Sequence, residues 1–202
     1  MYLNQSLFDA AHPGSYGDTP APRVFGNVSP LDPQLFSRIN DFADGLLNDE
    51  RSGKYAPLEV AQWIDDYSAA AMKHLSQSAD QFQARPGVEY RRLTTDVLIQ
   101  AGLGRFFAAK FRSGVLYRIF EKTNERAALE SSLQQYRLAR AAWAEFSRVA
   151  TGVYMSDVTV GELPQLHGHW LDRLPAIDRD IDAVAEKLAG TKPGPPSVVV
   201  AA

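Results

Sequence analysis

Cysteine is absent from this chain of 202 residues. Its absence excludes disulfide bonds, thiol catalysis, iron–sulfur clusters and zinc sites built from cysteine ligands. It does not identify the redox compartment, because a domain without cross-links can work on either side of a membrane. A chain of this length buries roughly 70% of the surface that its unfolded form exposes, so it needs no disulfide or metal ion to fold.

Long apolar runs and an excess of charge of one sign are missing too. No run of about 18 apolar residues occurs, so the sequence predicts neither a membrane-spanning helix nor a membrane partner. The first residues lack the basic and apolar regions of a signal peptide, and the localisation stays unknown. With 21 basic and 24 acidic side chains the formal net charge is −3, which argues against a nucleic-acid partner held by bulk charge.

The composition that is present is typical of a globular domain, with 45% hydrophobic and 22% charged residues. Prolines and glycines predict that residues 1–28 form an extended arm or a severed linker. We expect residues 29–190 to form one helical domain. Residues 191–202 contain three prolines, cannot continue a helix and are expected to form a disordered tail.

Apolar residues recur at helical spacing over five segments, and no series of strands competes with them. The sequence therefore predicts an all-α fold, an antiparallel bundle of about five helices. The third and fourth helices form a long central hairpin, because only a few residues around Thr123-Asn124 connect them. On the fourth helix, Leu133 and Trp143 are expected in the core. The predicted helices run from Pro30 or Pro33 to about residue 47, from near Pro57 to Pro86-Gly87, and over about residues 88–121, 125–150 and 172–189.

Three glycines interrupt the third predicted helix, at Gly102, Gly104 and Gly114. Each destabilises a helix interior by about 1 kcal/mol relative to alanine. Glycine is tolerated where a neighbouring helix approaches closely, which predicts a central position for this helix. A kink near Gly102-Gly104 is the alternative explanation.

A histidine pair, His167-Gly168-His169, precedes the last predicted helix. Two imidazoles at this spacing can ligate zinc or iron when a carboxylate such as that of Asp172 completes the set. The alternative is structural: Asp172 caps the final helix and Trp170 packs beneath it. No other cofactor is expected.

Arginines dominate the third and fourth predicted helices, and aromatic residues lie between them. Arginine is the preferred residue for gripping a carboxylate or phosphate through two parallel hydrogen bonds, so an anionic ligand or an acidic partner is one hypothesis. Ion pairs with Glu89, Glu121, Glu130 and Glu145 across helix faces are the alternative. The basic set comprises Arg91, Arg92, Arg105, Lys110, Arg112, Arg118, Arg137, Arg140 and Arg148; Arg105, Arg112, Arg137 and Arg140 are the candidate binding residues.

Other motifs give little indication of catalysis. Asp65-Asp66 with Glu59 can serve as an acid–base pair in an apolar pocket, although adjacent residues of a helix point about 100° apart and favour a solvated face. The sequence Gly102-Leu103-Gly104 lacks the third glycine and the preceding strand of a dinucleotide-binding loop. There is no phosphate-binding Gly-Lys-Ser/Thr loop and no Gly-x-Ser-x-Gly nucleophile elbow.

Four segments taken together resemble the C-terminal helical region of large bacterial proteins that are similar to glycoside hydrolases, some described as α-glucuronidase-like. The segments are residues 28–33, 52–63, 101–117 and 168–174, and the similarity covers most of residues 24–185. The resemblance implies that the catalytic carboxylates belong to a barrel outside this chain. It also implies a helical accessory domain, for which Met1 marks a truncated or split reading frame.

The leading functional hypothesis is therefore a non-catalytic helical accessory or interaction domain of a bacterial carbohydrate-processing protein. Its expected partner is a protein surface, either a catalytic domain or a second copy of the chain. The alternatives are a bundle that binds a metal or an anionic ligand through His167, His169 and nearby aspartates, and an adaptor that holds an acidic partner. The chain alone is expected not to be an enzyme.

Overall fold

The computed structural model describes residues 25–27, 30, 32–81, 87–158 and 167–192. Within these residues the fold is all-α and contains no strand, as the sequence predicts. A 3₁₀ turn at Phe25–Asn27 comes first, and another, Trp170–Arg173, leads directly into the last helix. The helices are α1 (Ile39–Leu47), α2 (Pro57–Gln81), α3 (Val88–Thr123), α4 (Arg126–Ala150) and α5 (Leu174–Gly190). None of the described helices is both long and apolar enough to span a membrane.

The hairpin of α3 and α4 forms the centre of the fold. The chain reverses at Asn124, which has a φ of 57° and donates its N–H to the Phe120 carbonyl at 2.7 Å. Asparagine tolerates this left-handed conformation better than most residues, which explains why α3 ends here. The predicted hairpin and its turn are confirmed.

The core lies mainly between α3 and α4. Trp143 is fully buried, and its ring lies 4.8 Å from that of Phe106 and 4.9 Å from that of Phe146. Its indole Nε1 donates to the Trp170 carbonyl at 2.7 Å. A buried tryptophan N–H needs such an acceptor, so this bond ties the segment before α5 to α4. The predicted core positions Leu133 and Trp143 are both buried.

Each glycine of α3 lies against a different neighbour. A Cβ added at Gly102 would lie 2.6 Å from the Cβ of Phe146 on α4, and one added at Gly104 would lie 2.3 Å from the Ser68 hydroxyl on α2. At Gly114 the added atom would lie 3.3 Å from Ile39 of α1. The glycines thus allow three helices to approach α3 closely, which agrees with its predicted central position.

The first predicted helix begins later than its sequence signals suggest. Leu35 and Phe36 were expected inside it but lie before α1, where Phe36 forms a β-bridge with Tyr55. The carboxylate of Asp32 accepts the N–H groups of residues 34 and 35, at 3.0 and 3.2 Å. An aspartate that bonds its own following backbone favours a turn over a helix, so this part of the prediction was wrong.

The apolar spacing of α3 and α5 predicts which residues face the core, and the outcome differs between the two helices. Leu93 was expected on the packed face of α3, yet it is 61% exposed, because it lies near the beginning of the helix and only part of α3 is covered by its neighbours. On α5, the expected inward residues Ile177, Ile181 and Val184 are buried. The sequence also predicts a short extended piece at residues 158–160. Its Thr159 and Val160, and Phe82 of the second predicted helix, lie outside the described residues.

Candidate functional site

His169, the second histidine of the pair, forms the N-terminal cap of the turn before α5. His169 Nδ1 accepts the Leu171 N–H at 3.2 Å, and the Asp172 carboxylate accepts the His169 N–H at 2.7 Å. These reciprocal bonds satisfy two backbone donors that a helix start leaves free. Gly168 has a φ of 95°, and an added Cβ would lie 2.7 Å from the Asp172 carboxylate, so this position requires glycine.

The three predicted metal ligands are close in sequence but do not converge. His167 Nδ1 lies 3.6 Å from an oxygen of Asp157, whereas Asp172 bonds the backbone of His169. Among the residues that the structure describes, no group of three potential ligands surrounds a common point. His169 Nε2 is buried and has no hydrogen-bond partner there. The metal site stays a prediction, while the capping alternative has direct geometric support.

The predicted arginine set points towards three different helices. Arg105 of α3 pairs with Glu145 of α4 at 3.5 Å, and Arg112 of α3 pairs with Asp65 of α2. Arg140 of α4 donates two hydrogen bonds to the Asp178 carboxylate of α5, at 2.8 and 3.0 Å. These three side chains therefore do not line one anion site.

All four glutamates that were expected as ion-pair partners form ion pairs with arginines. They pair with Arg92, Arg118, Arg126 and Arg105, at distances of 2.9–3.8 Å. Arg137 is exposed and makes no ion pair with the described residues. An acidic partner held by arginines stays a prediction, and among the four candidates Arg137 is the one whose guanidinium the fold does not use.

The paired carboxylates of α2 do not form an acid–base site. The Asp65 carboxylate accepts from Arg112, and Asp66 accepts from Gln62 on the same helix at 2.9 Å. No shared apolar pocket encloses the two groups, and Asp66 is exposed. The solvated-face alternative describes Asp66, whereas Asp65 is half-buried and pairs with Arg112 of α3.

Lys110, a member of the predicted basic set, is completely buried. Its ammonium lies 4.6 Å from the ring centre of Phe25, 5.4 Å from that of Phe106 and 5.6 Å from that of Tyr136. Burial lowers the pKa of Lys110 to about 7, and the nearby Asp180 carboxylate opposes this shift. Aromatic faces stabilise a cation in part, which explains how the fold accommodates this group. With no access to solvent, the amine has no route to a substrate.

An open apolar groove of about 450 Å³ follows one side of the contact between α2 and α3. Its walls include Ile64 from α2 and Phe107 and Phe111 from α3, and Gln100 adds a polar side chain. A second depression of about 500 Å³, beside α1, is lined by charged side chains that include Asp41, Glu50 and Arg51. No ionisable side chain of the described residues lines the apolar groove, whereas the depression beside α1 contains Ser52 in addition to these charged groups.

Comparison with known proteins bears on the fold. No family model matches the sequence, and no curated protein is significantly similar to it. The solved structure of a GH138 enzyme targeting pectin rhamnogalacturonan II is similar, with a TM-score of 0.60 at 13% sequence identity. The similarity covers 76% of this chain and 23% of that enzyme chain. The helical fold is thus similar to a minor part of a carbohydrate-active enzyme.

Sequence reasoning missed several contacts that join the helices. Arg126 donates to the Leu188 and Thr191 carbonyls and so caps the end of α5, and Lys187 donates to the Tyr117 hydroxyl at 3.0 Å. The Tyr136 hydroxyl donates to Asp180 at 2.8 Å. The partners are 44 to 70 residues apart in the chain, and no local spacing indicates such pairs.

Proposed function

We propose that this chain is a non-catalytic helical accessory domain of a carbohydrate-processing protein, and that it packs against a catalytic domain. The observation that carries the proposal is the likeness to 23% of a GH138 enzyme chain. A fold that recurs as a minor part of a large enzyme is suited to supporting a catalytic domain. The independent resemblance in four segments of the sequence points to the same class of protein.

The distribution of polar groups supports a structural role for this domain. The charged side chains that were candidates for chemistry are mostly engaged in holding helices together, as in the pair between Arg140 and Asp178. His169 and Asp172 cap a helical turn. Acid–base or nucleophilic catalysis requires groups that face a substrate cleft, and these groups face one another or the backbone.

The proposal is tested first at the gene. Sequencing the DNA on both sides of the coding region is expected to reveal a catalytic domain of a carbohydrate-active enzyme, in the same reading frame or in an adjoining one. The product of that region is then purified and mixed with this chain. We expect the two to elute together and the catalytic domain to melt at a higher temperature in the complex.

Two results would overturn the proposal. One is the absence of any carbohydrate-active domain on either side of the coding region. The other is steady release of sugar from aryl glycosides or pectic oligosaccharides by the isolated chain, above the rate in buffer and above that of a heat-denatured sample.

A further inference from the structure

One face of α2 carries exposed aromatic residues that its packing on α3 does not explain. Four apolar residues, followed by two polar ones, recur at alternating spacings of three and four, the a/d spacing of a two-stranded coiled coil. They occupy 18 residues of helix, a length of about 27 Å. We call them the α2 stripe. Its members are Val60, Trp63, Tyr67, Ala70, His74 and Gln77.

The stripe lies beside the contact with α3. Ile64 and Ser68 mark the side of α2 that meets Gly104 of α3. Trp63 and Tyr67 lie about 60–140° around the helix from these two residues, and they are 39% and 75% exposed. Large aromatic side chains one turn apart and open to solvent are typical of a protein interface, because they bury much area at little entropic cost.

We propose that the α2 stripe is a dimer interface, in which α2 packs against α2 of a second copy in antiparallel orientation about a two-fold axis. Antiparallel pairing places Tyr67 opposite Ala70 of the second copy, and Trp63 opposite His74. Each large side chain then meets a smaller one, which is the arrangement that fills a helix–helix interface without gaps. A parallel pair would instead set Tyr67 against Tyr67 and Ala70 against Ala70.

The charges along one edge of the stripe match the same orientation. Asp66 and Lys73 each directly precede a stripe residue and are seven residues apart, so they lie on the same edge. Antiparallel pairing brings Asp66 of each copy next to Lys73 of the other, and the symmetry creates two such pairs. Both side chains are exposed, and the Asp66 carboxylate accepts from Gln62 of the same helix at 2.9 Å. Flanking opposite charges of this kind set partner choice and orientation in coiled coils.

Glu59 and Asp80 lie on the same edge at the two ends of the stripe, and antiparallel pairing sets one opposite the other, so these two acidic residues oppose the pairing there. A carboxylate oxygen of Glu59 accepts the Ala56 N–H at 2.7 Å, at the start of the same helix. The ring of Tyr55 contacts that of Trp63 edge to face, with centres 5.1 Å apart. This contact holds the indole in place before association, which lowers the entropy lost on binding.

Sedimentation velocity of the full chain over a range of concentrations tests the proposal, which does not depend on the proposed function. We expect the wild type to shift from monomer to dimer as concentration rises. Tyr67→Glu should be a monomer over the same range. Met155→Glu is the matched control: Met155 is 74% exposed and lies in the loop after α4, and its variant should dimerise like the wild type. Circular dichroism checks that each variant keeps its helix content.

A charge exchange tests the orientation. Lys73→Asp and Asp66→Lys should each weaken the homodimer about tenfold, because each places two like-charged pairs across the interface. A mixture of the two variants should form a heterodimer about as strongly as the wild type dimerises, because both pairs are then of opposite charge. A wild type that stays monomeric, a Tyr67→Glu dimer as strong as the wild type, or a mixture that associates no better than its components would overturn the proposal.

Discussion

The two sides of α3 are packed very differently. Towards α4, Phe106 is fully buried, and Phe146 occupies the space beside Gly102. Towards α2, the contact at Gly104 is close, but an open groove of about 450 Å³ runs beside it. The fold is therefore stabilised mainly by the α3–α4 hairpin, since apolar burial is the dominant favourable contribution. Helix α2 contributes less to stability, and Trp63 and Tyr67 on it stay exposed.

The largest expected effect on stability comes from replacing a tryptophan by alanine. The same replacement on α4 and on α2 tests whether the two sides of α3 differ in stability. Trp143→Ala on α4 should lower the free energy of unfolding by about 3–5 kcal/mol, because it leaves a cavity between Phe106 and Phe146. Trp63→Ala on α2 should lower it by less than about 1 kcal/mol, because the side chain is already 39% exposed. Urea unfolding measures both.

Equal losses for the two tryptophan variants would mean that α2 is as important for stability as the hairpin. Circular dichroism at each urea concentration and tryptophan fluorescence should report the same transition in every variant. Coincident transitions are needed for the two free energies to be compared.

The buried Lys110 makes the stability of the hairpin depend on pH. Its pKa is about 7 in the folded chain, against an ordinary value of 10.5. Between these values the unfolded chain binds a proton that the folded chain has lost, so the free energy of unfolding should rise with pH, by at most about 1.4 kcal/mol per pH unit. The raised pKa of the buried Tyr117 has the opposite effect, but only from about pH 10, where the ordinary tyrosine hydroxyl of the unfolded chain ionises.

The matched variant is Lys110→Met, which lacks the titrating amine. Urea unfolding from pH 7 to 9.5 should show a rise for the wild type that the variant lacks. A difference between the two proteins that does not change with pH would contradict the shifted pKa of Lys110.

Two glycines give a finer test of the packing. Gly102→Ala should destabilise the fold by about 1–3 kcal/mol, because the new methyl meets the rigid Cβ of Phe146 at 2.6 Å. Gly104→Ala should cost less, because its nearest contact is the end of the short Ser68 side chain, which can move by giving up the hydrogen bond that it donates to the Ile64 carbonyl. Thermal unfolding ranks the two variants. Gly190→Ala, where an added Cβ would have no neighbour within 4 Å, is the control.

The smallest expected effects come from the polar links on each side of α3. Ser113 and Ser132 join α3 to α4 through fully buried hydrogen bonds, including one of 2.7 Å from the Ser113 hydroxyl to the Ser132 carbonyl. Ser113→Ala should cost about 1 kcal/mol or somewhat more. Arg112→Met, which breaks the partly exposed pair with Asp65 of α2, should cost less than about 1 kcal/mol and lose its effect in high salt.

Most of the helices could be predicted because their apolar spacing is local. The buried residues of α4 and α5 recur every three or four positions, so the chain indicates both the helix and its inward face. The start of α1 was predicted too early because the signal at residues 29–33 suits a helix cap and a turn equally well. Asp32 in fact bonds the backbone of a turn.

The candidate site was harder to predict, because side chains of one type have different partners in space. Arg105, Arg112 and Arg140 look alike in the sequence, yet they pair with three different helices. Lys110 looks like a surface cation, and only the packing of Phe25 and Tyr136 around it shows that it is buried. Neither distinction follows from residue spacing along α3 or α4.

By itself, then, the sequence determined the helical class, the α3–α4 hairpin and the close approach of neighbours at the glycines of α3. These depend on periodicity, short connections and the missing side chain of glycine, all of which are local properties. The tertiary structure alone decided which charges are neutralised within the fold, which lysine is buried and which face of α2 is left open. Those outcomes depend on contacts between residues that are tens of positions apart, because burial and pairing are properties of the assembled helices.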